Sequence, residues 1–514
     1  MMPRVRTLYG PNSEVLKQFV PTPRGPSMVA FDAAGSGRRL STWQPPRGTS
    51  MASIVRSDLR DLRDRSRDAV RKSLYASAAK QSWVGNVVGT GISLSSMVEG
   101  DTGLQQAIKA LWEEWTDEAD AEGVSDLYGM QRTVASALFE AGEIFVRFRP
   151  RRLGDGLSVP LQLQLIESEQ VPLEKNEVLP NGNIVRMGIE FDRVIQSRRV
   201  AYWMFRNHPG DYGTGQALGD LVRVPATEVL HIFDPLRPGQ IRGIPKLATS
   251  LLTLWELDKF TDNVLVKQTI GAGFTGFFTW TASGDNGPPL GAAKPDGAPA
   301  DSTVGFTTVE PGTFPELPPG ADVKFATPPD IGAQFEAFMK VNLRAIASAL
   351  DVLYEHLTGD YAGVTYTSMR AAVLEIRRRI EQLQHHVLIF QLCRPIYWRW
   401  LEAAVLAGAL PTLSASRYVN DQRAVRKARW LPDPWPWVDP IKDRMAEILA
   451  VRAGMKSLSD VIEQEGETTA DTLRQLSEDF KLAFDTYDLI LDSDASRTAK
   501  SGAVQKAESA ALGG

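Results

Sequence analysis

Apolar and polar positions in the first half of the chain follow a helical period and then change to a strand period. From Ser57 onward, acidic and basic residues recur every three or four positions above an apolar row, which predicts a helix laced with ion pairs. That apolar row consists of Leu59, Leu62, Val70 and Leu74. Two more helical stretches fall within residues 103–147, and short alternating runs bounded by Pro and Gly follow from Ile144 to His231. We therefore expect a mixed α+β domain over residues 51–243.

A helical pattern then leads away from this domain and a second one returns. Pro245 suits the first turn of a helix, and leucines recur at helical spacing at Leu247, Leu251, Leu254, Leu257 and Leu265. The pattern predicts a helix over 244–271, short strands and proline turns over 272–329, and a returning helix over 330–351 with Asp330 as its N-cap. This order is typical of a two-helix stalk that carries a small β-rich cap.

The returning helix separates apolar residues from charged ones. Its apolar stripe is Phe335, Met339, Leu343, Ile346 and Leu350. Glu336, Lys340 and Arg344 form a different row at i, i+4 and i+8. That row is either a solvated or subunit-bridging face, or a face that meets an anionic partner.

A polar loop over 352–366 precedes a long helix that we expect to begin near Thr367. Its seam has heptad-like spacing through Val373, Ile376, Ile380, Leu383, Val387 and Phe390. Pro395 should kink or end this helix, and residues 441–480 offer two more helices. Residues 1–50 and 493–514 lack either period, so we expect a flexible N-terminal arm and a disordered tail.

The segment GAGFTG, from Gly271 to Gly276, matches the dinucleotide-binding pattern G-x-G-x-x-G. A phosphate cradle needs a strand before this loop and a helix after it. Here the predicted order is helix, loop and strand, so the pattern argues against a nicotinamide or flavin enzyme. We expect Gly271 and Gly273 to end the helix by adopting the left-handed conformation, and we expect alanine at both positions to impair folding or assembly.

Charge and composition narrow the functional classes. The 57 Lys and Arg residues against 62 Asp and Glu give a net charge of -5, without the basic surplus of a tight nucleic-acid binder. One cysteine, Cys393, excludes an internal disulfide framework, and the five histidines form no zinc motif. No ATP-binding loop, nucleophile elbow or membrane span is recognisable. We therefore expect an intracellular, soluble protein that is not an enzyme and has no cofactor, metal or membrane partner.

Several segments, in order, resemble the lambda-like family of phage portal proteins. They span roughly residues 55 to 470, and LTGDYAGVTYTSMRAA and EPGTFPELPPG are the most specific. The matching segments lie at 63–92, 241–248, 310–325, 357–372 and 439–467. The sequence departs from the family pattern at Lys72–Tyr75, where Asn-Asn-Pro-Tyr is expected, and at Thr365–Ser368, where Asn-Tyr-Ser-Ser is expected.

The resemblance implies a subunit of a twelve-membered ring at one capsid vertex, assembled in the host cytoplasm and carried in the virion. The α+β fold would divide into a wing (51–243), a first stem helix (244–271), a clip (272–329) and a second stem helix (330–351). A tunnel loop region (352–366), a long tunnel-side helix with the return to the wing (367–440) and a helical crown (441–492) would follow. The implied partners are other copies of the chain, double-stranded DNA bound without sequence preference, the large terminase subunit, the major capsid protein and a head-completion or adaptor protein.

The resemblance also nominates residues for contact with DNA and for the turn between stem and clip. The DNA-channel candidates are Lys340, Arg344, Gly359, Asp360, Tyr361, Gly363, Thr365, Tyr366 and Arg370. The stem–clip turn would contain Gly271, Gly273 and Gly276. The alternatives are another head–tail connector ring, or a nucleotide-binding enzyme that uses GAGFTG.

Overall fold

The computed structural model describes residues 48–211, 220–273, 277–280, 321–324, 334–435, 440–491 and 493. The chain divides after Ser50 into two units, and the helices and strands described here belong to the second, Met51–Gly514. The predicted N-terminal arm and C-terminal tail lie almost wholly outside the described residues. Helices and antiparallel strands occur mostly in separate runs along the second unit, as the α+β prediction requires.

Helices and two antiparallel sheets make up residues 51–233. The helices are α1 (Met51–Lys72), α2 (Leu74–Val88), α3 (Thr102–Glu118) and α4 (Leu127–Glu140). The strands are β1 (Ser93–Ser96), β2 (Glu143–Pro150), β3 (Leu161–Ile166), β4 (Glu177–Val178), β5 (Ile184–Arg186), β6 (Ile189–Phe191), β7 (Arg199–Met204), β8 (Val222–Pro225) and β9 (Val229–Phe233). Strands β3, β2 and β9 form one sheet in that order, and β4 to β8 form a second sheet of consecutive neighbours.

Each sheet contributes apolar side chains to a shared core. Phe145 of β2 lies in one cluster with Ile189 and Tyr202 of the five-stranded sheet, and its ring is 5.5 Å from the ring of Tyr202. The segment IVRMGIEF (184–191), one of the short runs within 144–231, is a hairpin of β5 and β6. Met187 and Gly188 have φ of 49° and 78°, the two positive values that a two-residue hairpin turn requires.

A larger core lies under the helices and is rich in tryptophan. Trp112 of α3 makes ring contacts at 5.1 Å with Trp115 and at 5.0 Å with Trp400. Leu59 of α1 is fully buried, as predicted, but Leu74 is 83% exposed. The helix breaks at Ser73, whose side chain caps α2 by accepting from the Ala76 N–H at 3.4 Å. The apolar row of α1 therefore does not continue to Leu74.

The predicted excursion has the expected order of elements. Pro245 precedes a short 3₁₀ turn at Lys246–Thr249, and the helix itself, α5, spans Leu251–Gly273. Strands β10 (Phe277–Trp280) and β11 (Ala321–Lys324) pair antiparallel, with Phe277 opposite Lys324. The returning helix, α6, spans Phe335–Ala349 with Gln334 as its N-cap. It begins later than predicted, and Asp330 lies outside the described residues.

A helix runs into GAGFTG and a strand begins directly after it at Phe277, which is the reverse of the order around a dinucleotide loop. The helix α5 includes Gly271 and ends at Gly273. Gly271 is therefore a residue of the helix and not its stop, because intact i to i+4 bonding needs right-handed backbone angles. Gly276 lies outside the described residues.

The apolar stripe of α6 is confirmed, whereas that of α5 is confirmed only near its start. Met339, Leu343, Ile346 and Leu350 are buried, and Phe335 packs against the same core. On α5, Leu251, Leu254 and Leu257 are buried, but Leu265 is 61% exposed. The far part of α5 therefore has apolar side chains that its own subunit does not cover.

The long helical segment changes its turn width midway. After the short helix α7 (Tyr354–Thr358), α8 covers Tyr366–Leu383, a π-helical segment covers Gln384–Cys393, and α9 covers Arg394–Ala407. Pro395 lies in the first turn of α9, so the proline does not end the helical segment. The wider π turn rotates the seam: Leu388 and Ile389 are buried, and Phe390, predicted to be in the seam, is 61% exposed.

The remaining elements close the domain and add a helical extension. They are α10 (Ala415–Asn420), α11 (Gln422–Val425), β12 (Ala428–Leu431), α12 (Pro440–Arg452), α13 (Leu458–Gln464) and α14 (Thr469–Tyr487). Strand β12 pairs antiparallel with β1 of the early sequence. Residues 441–480, predicted as two helices, therefore contribute to three.

Candidate functional site

The loop before α8 has a defined backbone rather than an open coil. Gly359 ends α7 in the left-handed conformation with φ of 70°, and Gly363 has φ of 75°. Thr365 then caps α8: its side chain accepts from the Ser368 N–H, and the Ser368 hydroxyl accepts from the Thr365 N–H at 3.2 Å. Thr365, which stands where the family pattern has Asn, thus forms a capping box with Ser368.

Asp360 lies at the centre of this loop. Its carboxylate accepts from the Ala362 N–H at 3.0 Å and from the Tyr354 hydroxyl at 3.3 Å, and it lies 3.7 Å from Lys340 Nζ. The backbone hydrogen bond from Ala362, aided by the charge of Lys340, lowers the pKa of Asp360. The carboxylate is therefore ionised at neutral pH and joins the loop to α6.

The charged row of α6 faces the same loop. Lys340 Nζ is 2.7 Å from the Glu336 carboxylate, and this hydrogen bond raises the pKa of Lys340. Arg344 lies 5.3 Å from the centre of the Tyr354 ring, in cation–π geometry. Two carboxylates neutralise Lys340. Arg344 is exposed, and no carboxylate among the described residues pairs with it.

The other candidates separate into exposed groups and one that is already paired. Tyr361 and Tyr366 are 57% and 52% exposed and can touch a partner with ring and hydroxyl. Arg370 instead donates to Asp443 of α12 at 2.8 Å, so its charge joins α8 to the helical extension. The structure brings together Lys340, Arg344 and Asp360, and it places Gly271 and Gly273 in α5.

A buried ionic cluster escaped the sequence analysis. Glu143 of β2 is fully buried and contacts Arg63 of α1, Arg242 Nε at 2.7 Å, His231 Nε2 at 2.9 Å and the Gly243 N–H at 2.7 Å. Arg242 also donates to three backbone carbonyls, those of Ser168, Val171 and Met187, at 2.8–3.0 Å. The cluster therefore joins α1, both sheets and the segment that leads into α5.

Burial and charge compete within this cluster. Burial alone would raise the pKa of Glu143, but Arg242 and Arg63 outweigh it and hold the pKa well below the usual value. Burial lowers the pKa of His231 to about 4, although Glu143 opposes the shift. His231 is thus neutral and Glu143 ionised in the folded protein. The signal in the sequence was an acid at the start of a strand otherwise rich in apolar residues.

One group of side chains has the spacing of a metal site. The ligand atoms of Glu167, Glu169 and His208 all lie within 4.8 Å of one another. Arg67 already pairs with Glu169 at 2.8 Å and lies 3.6 Å from Glu167, so the positive charge of Arg67 already compensates the two carboxylates of this group. Within the described ranges, no helix is both long and apolar enough to cross a bilayer.

Comparisons with known proteins agree on one family. The family model described as phage portal protein, lambda family, matches residues 36–384. A "Probable portal protein" of Halomonas phage phiHAP-1 is 28% identical over 476 residues, which cover 90% of this chain and 88% of the relative. Portal protein B of Escherichia phage lambda is 21% identical over 528 residues, 92% of each chain.

Among solved structures, the neck of a native GTA particle computed with C12 symmetry is similar to this chain. It shows 12% identity and a TM-score of 0.43, covering 78% of this chain and 91% of that one. The sequence relationship is the stronger result, because the family model spans more than half of the chain and the relatives align over nearly their full length. The chain belongs to the lambda family of phage portal proteins.

Proposed function

We propose that twelve copies of this portal protein form a closed ring at one capsid vertex, through which double-stranded DNA enters and leaves the head. The observation that supports a ring best is the apolar surface of the α5–α6 pair. Leu252 and Trp255 of α5 are 67% and 56% exposed, and Phe338 and Val341 of α6 are 50% and 68% exposed. A neighbouring copy in a cyclic assembly would cover such a surface.

The DNA path in this proposal runs past the loop 358–366 and the charged row of α6. The loop offers exposed tyrosines, hydroxyls and backbone groups, and most nearby cations are paired with carboxylates. Unpaired cations all along the channel wall would bind the DNA phosphates tightly through counterion release. A wall whose charges are mostly compensated instead allows the duplex to slide.

The remaining assignments follow the family. The pair α5–α6 is the stem, and the segment between them, with β10 and β11, is the clip on which the large terminase subunit docks during packaging. A head-completion protein replaces the terminase afterwards. The domain over 51–243 is the wing that the major capsid protein surrounds, and α12–α14 form the crown. Assembly takes place in the host cytoplasm, and the ring remains in the virion.

Light scattering of the purified chain tests the ring and the surface that we assign to it. The wild type should be a single large species. Trp255→Lys with Val341→Lys should shift it toward monomer, because lysine cannot be buried cheaply against a neighbour. Val124→Lys, at an 84% exposed position away from the stem, is the matched control and should leave the ring intact. A monomeric wild type at micromolar concentration would refute the proposal.

A further inference from the structure

A cationic pocket of about 420 Å³ lies between α9, the α10–α11 turn region and β12. It shares no residue with the loop 358–366 or with the charged row of α6. Its lining contains no carboxylate: it is made of Arg394, Tyr397, Trp398, Gln422, Arg423, Arg426, Lys427, Ala428 and Trp430. The floor is aromatic, since Tyr397 is fully buried and Trp430 is 9% exposed.

Neutral groups hold the central cation of this pocket in place. The Tyr418 hydroxyl accepts from Arg426 Nε at 3.0 Å and from Nη2 at 2.6 Å. The Gln422 amide, with its oxygen turned toward Arg426, accepts from Nη2 at 2.7 Å and from Nη1 at 3.2 Å. The guanidinium also lies 5.5 Å from the Trp398 ring centre. Among the described residues, neutral acceptors therefore fix Arg426 and no carboxylate pairs with it, which suits a guanidinium that receives an anion.

The other cations of the pocket add to this uncompensated charge. Neither Arg394 nor the exposed Arg423 pairs with a carboxylate among the described residues. Lys427 does pair, with Glu99, which is 80% exposed and lies outside the lining. Three arginines thus line a recess to which no described residue contributes a carboxylate.

The strand at the edge of the pocket adds a second, independent feature. The Met97 N–H donates to the Lys427 carbonyl at 3.0 Å, and Ser95 lies opposite Arg429. In an antiparallel pair, hydrogen-bonded and non-bonded positions alternate. The backbone groups of Ala428 and Trp430 consequently point away from β1, and no described residue supplies a backbone partner for them. Both residues line the pocket.

We propose that this pocket binds an extended acidic segment of a protein partner, which adds to β12 as a strand and places carboxylates on Arg394, Arg423 and Arg426. Strand addition uses the free edge for affinity, and alternate side chains supply specificity. The geometry favours a peptide over duplex DNA. A duplex presents its phosphates on a convex surface and has no N–H and C=O groups with the spacing of a strand. The proposal does not depend on ring formation.

The binding of an acidic strand can be tested on the full-length protein by fluorescence anisotropy with a fluorescein-labelled peptide of alternating Glu and Val. Arg394→Gln with Arg423→Gln should raise the Kd at least about tenfold, since two charge-assisted contacts are lost. Arg193→Gln, which removes an exposed arginine from the loop between β6 and β7, should leave the Kd unchanged. Glu99→Gln should tighten binding about twofold, because Lys427 is released from its ion pair. A gain in affinity cannot arise from misfolding.

Two further probes separate the parts of the proposal. The same peptide with alternate backbone nitrogens methylated should bind much more weakly, and equal binding would overturn strand addition. A peptide with Gln in place of Glu should also bind weakly, and equal binding would overturn charge recognition. If a short duplex binds through Arg394 and Arg423 more tightly than the peptide does, the site is a nucleic-acid contact and the proposal is wrong. A peptide Kd that the double variant leaves unchanged would also overturn it.

Discussion

Glu143 connects several elements of the fold, although the sequence pattern did not single it out. Two arginines, a histidine and a backbone N–H contact its two carboxylate oxygens in a fully buried site. A buried ion pair contributes little compared with an apolar replacement, but the loss of one partner leaves charges that are buried and unpaired. The acid is therefore needed once the arginines are present.

Glu143→Gln should accordingly reduce the free energy of unfolding by about 3–5 kcal/mol. The amide keeps the shape of the side chain but leaves Arg63 and Arg242 without a counter-charge. Guanidinium unfolding followed by circular dichroism would measure the change. Glu113→Gln is the control, since that acid is 61% exposed and pairs with Lys109 at 3.6 Å within one helix. An equal effect in the two variants would contradict this account.

His231 should make stability depend on pH. Its pKa is about 4 in the folded protein and near 6.5 when unfolded, so the unfolded state binds more protons between these values and folding weakens as the pH falls. At pH 5 the loss relative to neutral pH is about 2 kcal/mol. His231→Gln should show a loss smaller by about this amount between pH 7 and pH 5, a range above the usual titration of Glu143. Parallel pH profiles of the two proteins would refute the assignment.

This cluster also shows what spacing in the sequence can reveal. The Asp/Arg pattern of α1 correctly predicted a helix with ion pairs, such as Lys72 with Asp68 at 2.8 Å. The same pattern treated Arg63 as a surface residue, whereas Arg63 is buried. Its partner Glu143 lies in another element, and a one-dimensional period carries no information about a contact across the fold.

At the scale of elements, the sequence predicted which segments form helices and strands better than it predicted which side chains of each helix face the core. The helices, the short strands and the order helix–strand–strand–helix of the excursion agree with the structure. Phe390 points outward because the π-helical segment before Pro395 contains a wider turn. Pro395 has no N–H to donate to the hydrogen bonds of an α-helix. Leu74 turned outward because Ser73 begins a new helix. Neither event changes the apolar spacing along the sequence.

The corrected position of Gly271 reverses an expected effect. Because Gly271 lies within α5, Gly271→Ala should stabilise the protein by roughly 0.5–1 kcal/mol. Gly363→Ala, at φ of 75° with open space around the added methyl, should instead destabilise it by about 1–2 kcal/mol. Guanidinium unfolding midpoints compare the two directly. Destabilisation by Gly271→Ala would restore the left-handed helix stop.

For the whole molecule, the proposed ring depends on the apolar side chains of α5 and α6 that a single subunit leaves exposed. The proposed DNA path depends on cations that pair with carboxylates of the same subunit. The family match shows what kind of protein this is, and the Lys340–Asp360 contact joins the proposed tunnel loop to α6. The sequence predicted the loop, its glycines and the α6 row. It did not predict that Asp360 and Glu336 would both neutralise Lys340, because the loop–helix contact depends on tertiary packing.

If the α6 row touches phosphate, its removal should affect packaging but not assembly. Lys340→Ala with Arg344→Ala should leave rings intact and shorten the DNA that heads built with these rings package or retain. Shortening the loop between Gly359 and Gly363 should have the same effect. Arg71→Ala with Lys72→Ala, two cations on the exposed face of α1, is the matched control. Full-length, stably retained genomes in the row and loop variants would show that the row is a solvated face.

Cryo-electron microscopy of the purified wild-type protein tests the central claim most directly, because it shows both the ring and its lumen. We predict a closed twelvefold ring whose channel passes B-form duplex, with residues 358–366 at its inner wall and the exposed side chains of α5 and α6 covered by neighbouring copies. A monomer, an open assembly or a ring whose inner wall excludes residues 358–366 would contradict the account.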